Sequence, residues 1–273
     1  MFARRRPIVK QVDTLTRHCT TEDDITAEVL RRLDKTKDAR LRRIMLSLIQ
    51  HLHHFVKDVE LTEAEWAAGI RFLTDTGQMC SATRQEFTLL SDTLGVSTVV
   101  DLINHRKPDR ATESTVFGPS HRDEMKGMPA IVSGRVVDVT GRPVAGALVD
   151  VWHADSCRTD QEGRYLVRAP RPVAYQIPTD GPVGKLLWAT DRHAWRPAHL
   201  HFVVSADGFE PVTTHIYDSI DKYLESDAVF AVKQSLICTF TEHHTRDEAA
   251  QQFKIEPPFC TVEFDFVLKP ARP

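Results

Sequence analysis

No apolar run of the roughly 18 residues that a membrane-spanning helix needs occurs in this chain. The start, MFARRRPIVKQVD, is basic but lacks the apolar core of a signal peptide. Its basic character would also fit a mitochondrial presequence, against which acidic residues soon follow. There is no excess of one charge: 35 Lys and Arg face 38 Asp and Glu, a formal net charge of −3, which argues against nucleic acid as a partner. No Cys-x-x-Cys spacing occurs. The five cysteines, Cys19, Cys80, Cys157, Cys238 and Cys260, are scattered and odd in number, as reduced thiols of a cytoplasmic protein would be, and unlike a disulfide frame or a zinc site. Cys157 is left open as a thiol near a site. Internal repeats and low-complexity segments are also missing.

What is present divides in two. At 273 residues the chain suffices for one large domain or two ordinary ones. Its first hundred residues read as helices. Ile25, Val29, Leu30 and Leu33 follow helical spacing over 24–34, and Leu41, Ile44, Leu48, Ile49, Leu52, Phe55 and Val56 form a long amphipathic row over 39–59. Thr62 with Glu65 is a capping box opening a helix that carries Trp66, Ile70 and Leu73, with Gly77 near its end. Two further helices are expected over 83–94 and 97–104. His51, His53 and His54 share no helical face and read as ordinary helix histidines. An apolar helical layer of this kind needs a partner surface, from a second domain or a second subunit.

The pattern changes at 106–110, around Pro108. Strands are expected over 130–139, 144–153 and 164–167, in the segment with His199 and His201, and over 212–217 and 261–268, with turn chemistry at 140–143 and 160–163. Short strands and regular turns point to a β-sandwich or barrel. The expectation is therefore a mainly β chain, with a helical domain over 1–108 and a β-sandwich over 109–273.

The chemistry points to Arg196-Pro-Ala-His-Leu-His-Phe202. Pro197 bars a helix, and the apolar residues after it suit a strand, so His199 and His201 project to one face with Leu200 on the other. Two imidazoles from one strand make half of a metal site; the competing reading is a solvated edge strand. Upstream, Tyr175 lies between Pro172 and Pro178 in an extended loop. It could equally be a core tyrosine with a satisfied hydroxyl.

Three stretches resemble the intradiol ring-cleavage dioxygenases: Gly134 to His153, Tyr175-Gln-Ile-Pro-Thr-Asp-Gly-Pro-Val-Gly184, and Arg196 to His201. The helical front resembles the N-terminal dimerisation domain of the catechol and hydroxyquinol branch. Phe87 to Gly95, Ala111 to Pro119, and Thr214-His-Ile-Tyr with Ser226 to Lys233 are most similar to hydroxyquinol 1,2-dioxygenases. The resemblance implies a homodimeric non-haem Fe(III) enzyme with a β-sandwich catalytic domain. Such an enzyme opens an aromatic ring between adjacent hydroxyls with both atoms of O2, here hydroxyquinol to maleylacetate. The alternatives are a catechol 1,2-dioxygenase giving cis,cis-muconate and a catalytically silent relative.

By the same resemblance Tyr175, His199 and His201 are iron ligands, Tyr175 also leaving the metal to take up a substrate proton. Arg196 stabilises developing negative charge; its other reading is a surface salt bridge. Leu89, Asp92, Val116, Phe117 and Gly118 contact substrate, with Asp92 placed to accept from a third hydroxyl, or else a helix-surface carboxylate. The chain departs from the family at one place. A second tyrosine ligand, in a Gly-Phe-Tyr sequence soon after Trp152, is implied but missing: Ser156 runs straight into Cys157. Tyr165, ten residues before Tyr175, matches instead a structural aromatic of the family.

Overall fold

The structure, a computed structural model, describes residues 21–106, 110–116, 127–152, 154 and 156–271. Two compact units divide the chain, residues 1–71 and 72–273. The first holds α1 (Glu22–Leu33) and α2 (Ala39–Asp58), and α3 (Glu63–Gln78) begins in it. Their starts are written in the sequence. Thr21 and Asp24 form a reciprocal capping box, the Asp38 carboxylate accepts from the amides of Arg40 and Leu41, and Thr62 and Glu65 cap α3 as the pattern predicts. The apolar row of α2 stays exposed, Leu48 by 53% and Phe55 by 52%.

The second unit begins with the end of α3, α4 (Glu86–Thr93) and α5 (Val96–Asn104), then turns to strands. One five-stranded sheet joins β1 (Pro129–Asp138), β4 (Arg164–Pro170), β10 (Thr241–His243), β11 (Phe259–Glu263) and β12 (Phe266–Leu268). The other runs in the order β3 (Cys157–Arg158), β2 (Leu148–Val151), β7 (His199–Ser205), β8 (Val212–Asp218), β9 (Ile237–Cys238). Alternate residues of both sheets meet in one core: Val132, Val136, Val167, Val262 and Phe266 from the first, Val149, Val151, Leu200, Phe202, Val204 and Ile216 from the second. That is a sandwich-like packing of two sheets.

Three expectations change. The described residues are not mainly β: helix makes up 35% of them and strand 24%, a mixed α/β composition. Besides the helical front, α6 (Pro182–Ala189) and α7 (Glu248–Phe253) interrupt the strand half. The strand expected over 261–268 is two, β11 and β12, each parallel to a different stretch of β1. They part where Phe264 crosses Gly134, whose absent Cβ would lie 2.0 Å from the Phe264 carbonyl oxygen, so a side chain there would block the crossing. Finally, the strand expected over 144–153 is confined to β2. No helix among the described residues is long and apolar enough to cross a membrane.

Candidate metal centre

The site grows out of one antiparallel pair. In the β7–β8 ladder His199 faces Tyr217, Leu200 faces Ile216 and His201 faces His215. Because side chains alternate, Leu200 and Ile216 enter the sandwich core, while His199, His201, His215 and Tyr217 share the opposite face. The Nε2 atoms of His199 and His201 are 3.1 Å apart. One ring nitrogen from each of His199, His201 and His215 lies within 4.8 Å of the others, and no other such group of His, Cys or acidic side chains occurs among the described residues. His201 stacks on Trp152, ring centroids 4.6 Å apart. The helix histidines stand elsewhere: the His51 Nδ1 is 2.7 Å from the Ser47 carbonyl oxygen, and the His53 Nδ1 is 3.0 Å from the Thr26 hydroxyl.

A second ribbon meets this face. β5 (Tyr175–Gln176) pairs with β6 (Trp195–Arg196), setting Tyr175 opposite Arg196. The Arg196 Nη1 donates to the Tyr175 hydroxyl at 3.2 Å, and the Tyr175 and His199 rings are 5.5 Å apart. Arg196 is no surface residue: it is fully buried, and its Nε donates to the Asp227 carboxylate at 3.1 Å. Asp227 also accepts from the amides of Val229 and Ala231. Tyr175, half-buried, is not a plain core tyrosine either.

The electrostatics follow from burial. Desolvation would favour an uncharged Arg196, but the Tyr175 phenol and the Asp227 carboxylate overcome it and hold the guanidinium charged. Burial pushes His199 and His215 well below the ordinary histidine range, and the Arg196 charge and the neighbouring imidazoles add to the effect. Both rings are thus neutral, the form a metal needs. His199 is also oriented, its Nδ1 lying 2.7 Å from the Pro197 carbonyl oxygen, which leaves Nε2 with its lone pair. Burial likewise raises the Tyr217 phenol, keeping it a neutral hydroxyl.

The substrate-contacting residues expected from sequence fall into two groups. Leu89 and Val116 are buried in one apolar cluster with Ile177 and Ala194, each two residues from Tyr175 or Arg196. Asp92 is 2% exposed, so it is not a helix-surface carboxylate. Burial raises its pKa, while a hydrogen bond with Ser97 and the Arg196 charge pull the other way. Phe117 and Gly118 lie outside the described residues. His215, Tyr217 and Asp227 were not singled out from sequence. A signal existed for the first two, since His215 and Tyr217 repeat the two-residue spacing of His199 and His201 on another strand.

Comparison with known proteins carries this further. A family model described as the catechol dioxygenase N terminus matches residues 38–112, and one described as dioxygenase matches 107–158 and 155–270. The chain is 43% identical to a 6-chlorohydroxyquinol 1,2-dioxygenase of Cupriavidus pinatubonensis, over 92% of this chain and 98% of that protein. The chain belongs to the intradiol dioxygenase family. Another member, a hydroxyquinol 1,2-dioxygenase of a Rhizobium species, is also 43% identical, over 90% of this chain and 95% of its own. Among solved intradiol dioxygenases, a hydroxyquinol 1,2-dioxygenase from Pseudomonas putida superposes with a TM-score of 0.86 at 44% identity, covering 92% of this chain and 99% of that one.

The dioxygenase match comes in two pieces that meet at 155–158, where Ser156 runs into Cys157. The Cupriavidus alignment spans 282 positions against 92% of 273 residues here, so it too carries positions this intradiol dioxygenase lacks. The fold closes over the junction: β2 and β3 pair directly, Val149 with Cys157, and no tyrosine lies between Val151 and Arg158. Tyr165 is no substitute. Its hydroxyl donates to the Phe264 carbonyl at 2.7 Å, and its ring packs in the sandwich core against Phe266. The donors that remain, neutral imidazoles with a phenol beside them, fit a metal ion. The His215 Nε2 is buried and has no hydrogen-bond partner among the described residues, as a nitrogen reserved for an ion would be.

Proposed function

We propose that this protein is an iron-dependent intradiol dioxygenase whose substrate is hydroxyquinol, benzene-1,2,4-triol, opened to maleylacetate with both atoms of O2. The observation that carries the reading is the convergence of the His199 and His201 Nε2 atoms, 3.1 Å apart, beside Tyr175 and its Arg196 partner. The names of the relatives, hydroxyquinol and chlorohydroxyquinol dioxygenases, support the substrate class. Tyr175, His199 and His201 would hold the ion, an oxygen and two nitrogen donors suited to Fe(III). When bound, Fe(III) supplies the positive charge that draws two adjacent phenolic oxygens together and makes the ring reactive to O2.

This chain's own residues do the rest. Tyr175 would meet the ion as a phenolate, and its oxygen would take up the proton that a substrate hydroxyl gives away. Arg196, held charged in a buried setting, stabilises the negative charge that develops on the substrate oxygens, where a low dielectric magnifies the effect. Leu89 and Val116 supply apolar wall for a flat ring. A second reading, a relative that binds without turnover, is favoured by the break in the family match at 155–158. One experiment separates them. Iron-loaded protein is given the triol under O2, and oxygen uptake and maleylacetate are followed; equal uptake and product support the enzyme, and neither appearing leaves the silent relative.

Asp92 gives the substrate its specificity in this reading. Asp92→Ala is expected to lower kcat/KM on the triol about ten- to a hundredfold relative to catechol, the worth of one hydrogen bond to a charged group. Equal losses on both diols would refute a third-hydroxyl contact.

We also propose that residues 1–108 form a dimerisation domain ahead of a catalytic domain over 109–273. The exposed row of Leu41, Ile44, Leu48, Leu52 and Phe55 supports this, being more contiguous apolar surface than a monomer ordinarily shows. Light scattering at micromolar concentration is expected to give the mass of a dimer, and Leu48→Glu with Phe55→Glu to give a monomer. A stable wild-type monomer would count against it.

A further inference from the structure

We propose that His215 is a third histidine ligand, so that the metal centre of this chain is built on His199, His201 and His215 with Tyr175 beside them. The inference rests on the reading of His199 and His201 as metal ligands and on nothing about the substrate. Four observations carry it. The β7–β8 register sets His215 directly across from His201, on the same face. Ring nitrogens of all three histidines lie within 4.8 Å of one another. His215 is completely buried, and its Nε2 meets no hydrogen-bond partner among the described residues. A buried polar atom left unpaired is rare in native proteins and calls for a specific occupant. Last, its Nδ1 lies 2.9 Å from the Tyr217 hydroxyl, itself buried.

That last contact has the form a ligand histidine shows: one ring nitrogen is fixed by an outer hydrogen bond so that the other faces the metal. His199 is arranged in the same way by the Pro197 carbonyl. As a ligand, His215 would donate its Nδ1–H to the Tyr217 oxygen and turn the lone pair of Nε2 to the ion. A set of three neutral imidazoles carries less negative charge than one with two phenolates. It therefore suits divalent ions of the middle and late first row as well as ferric iron.

The test counts ligands without asking for turnover. Protein grown with 15N-labelled histidine is stripped of metal and loaded with one equivalent of 113Cd2+. Coupling to three nitrogens splits the cadmium resonance into a quartet; coupling to two gives a triplet. A quartet in the wild type, falling to a triplet in His215→Gln and persisting in Tyr217→Phe, is the expected result. Tyr217→Phe is also expected to weaken cadmium binding about tenfold, the lower end of what losing an outer partner does. A wild-type triplet, no bound cadmium, or a quartet that survives His215→Gln overturns the inference. Should His215→Gln fail to fold, the wild-type multiplicity alone decides. A quartet in a protein that consumes no O2 with the triol would keep the third ligand and sink the dioxygenase reading; a triplet with full turnover would do the reverse.

Discussion

His201→Ala is expected to lose the metal and, with it, all measurable ring cleavage. Removing even an outer partner of a ligand histidine weakens metal binding about ten- to a hundredfold, so loss of a direct ligand should exceed about a hundredfold. His201 is the better target of the strand pair. His199 is buried beside the Tyr175 ring, whereas His201 is partly exposed and stacks on the Trp152 ring. The apoprotein melting temperature should therefore change little, while iron measured after gel filtration falls to background. Stoichiometric iron in a folded His201→Ala protein would remove His201 from the ligand set.

The second large effect concerns stability as well as chemistry. Asp227→Ala is expected to destabilise the fold by about 3–5 kcal/mol, because it strands a fully buried guanidinium without its carboxylate. Two backbone amides, of Val229 and Ala231, lose their acceptor in the same step. The cost should be largely relieved by adding Arg196→Met, which removes the unpaired charge; buried pairs replaced by apolar residues are often neutral in stability. Turnover should not return, since the group beside Tyr175 is then gone. Urea unfolding of the two single variants and the double variant gives the coupling directly. If Asp227→Ala unfolds at the wild-type midpoint, the pair does not have the role assigned to it.

How far the sequence could be read depended on how local each feature is. The cap at Thr62 with Glu65 acts within four residues, and it appears where the pattern puts it. The alternation at His199, Leu200 and His201 is equally local, and it foretells which side chains share a face. Asp227 could not be found that way: it meets Arg196 across 31 positions through a loop with no periodicity. His215 required the β7–β8 register, which no single strand reveals. α6 is not among the elements expected from sequence, although Pro182 in its first turn is a helix-start signal. The split between β11 and β12 turns on the close approach of Gly134 and Phe264, 130 positions apart, and is silent in composition.

The β7–β8 ladder also makes the site a matter of parity. If β8 slipped by one residue against β7, His215 and Tyr217 would turn into the core and Ile216 would take their side. A slip by two would restore the faces but offer His201 a different neighbour. The six residues between Ser205 and Val212 therefore act as a ruler. Length changes that their loop absorbs leave the imidazoles aligned, whereas a change transmitted into the pairing by an odd step erases the cluster while keeping every one of its residues in the chain.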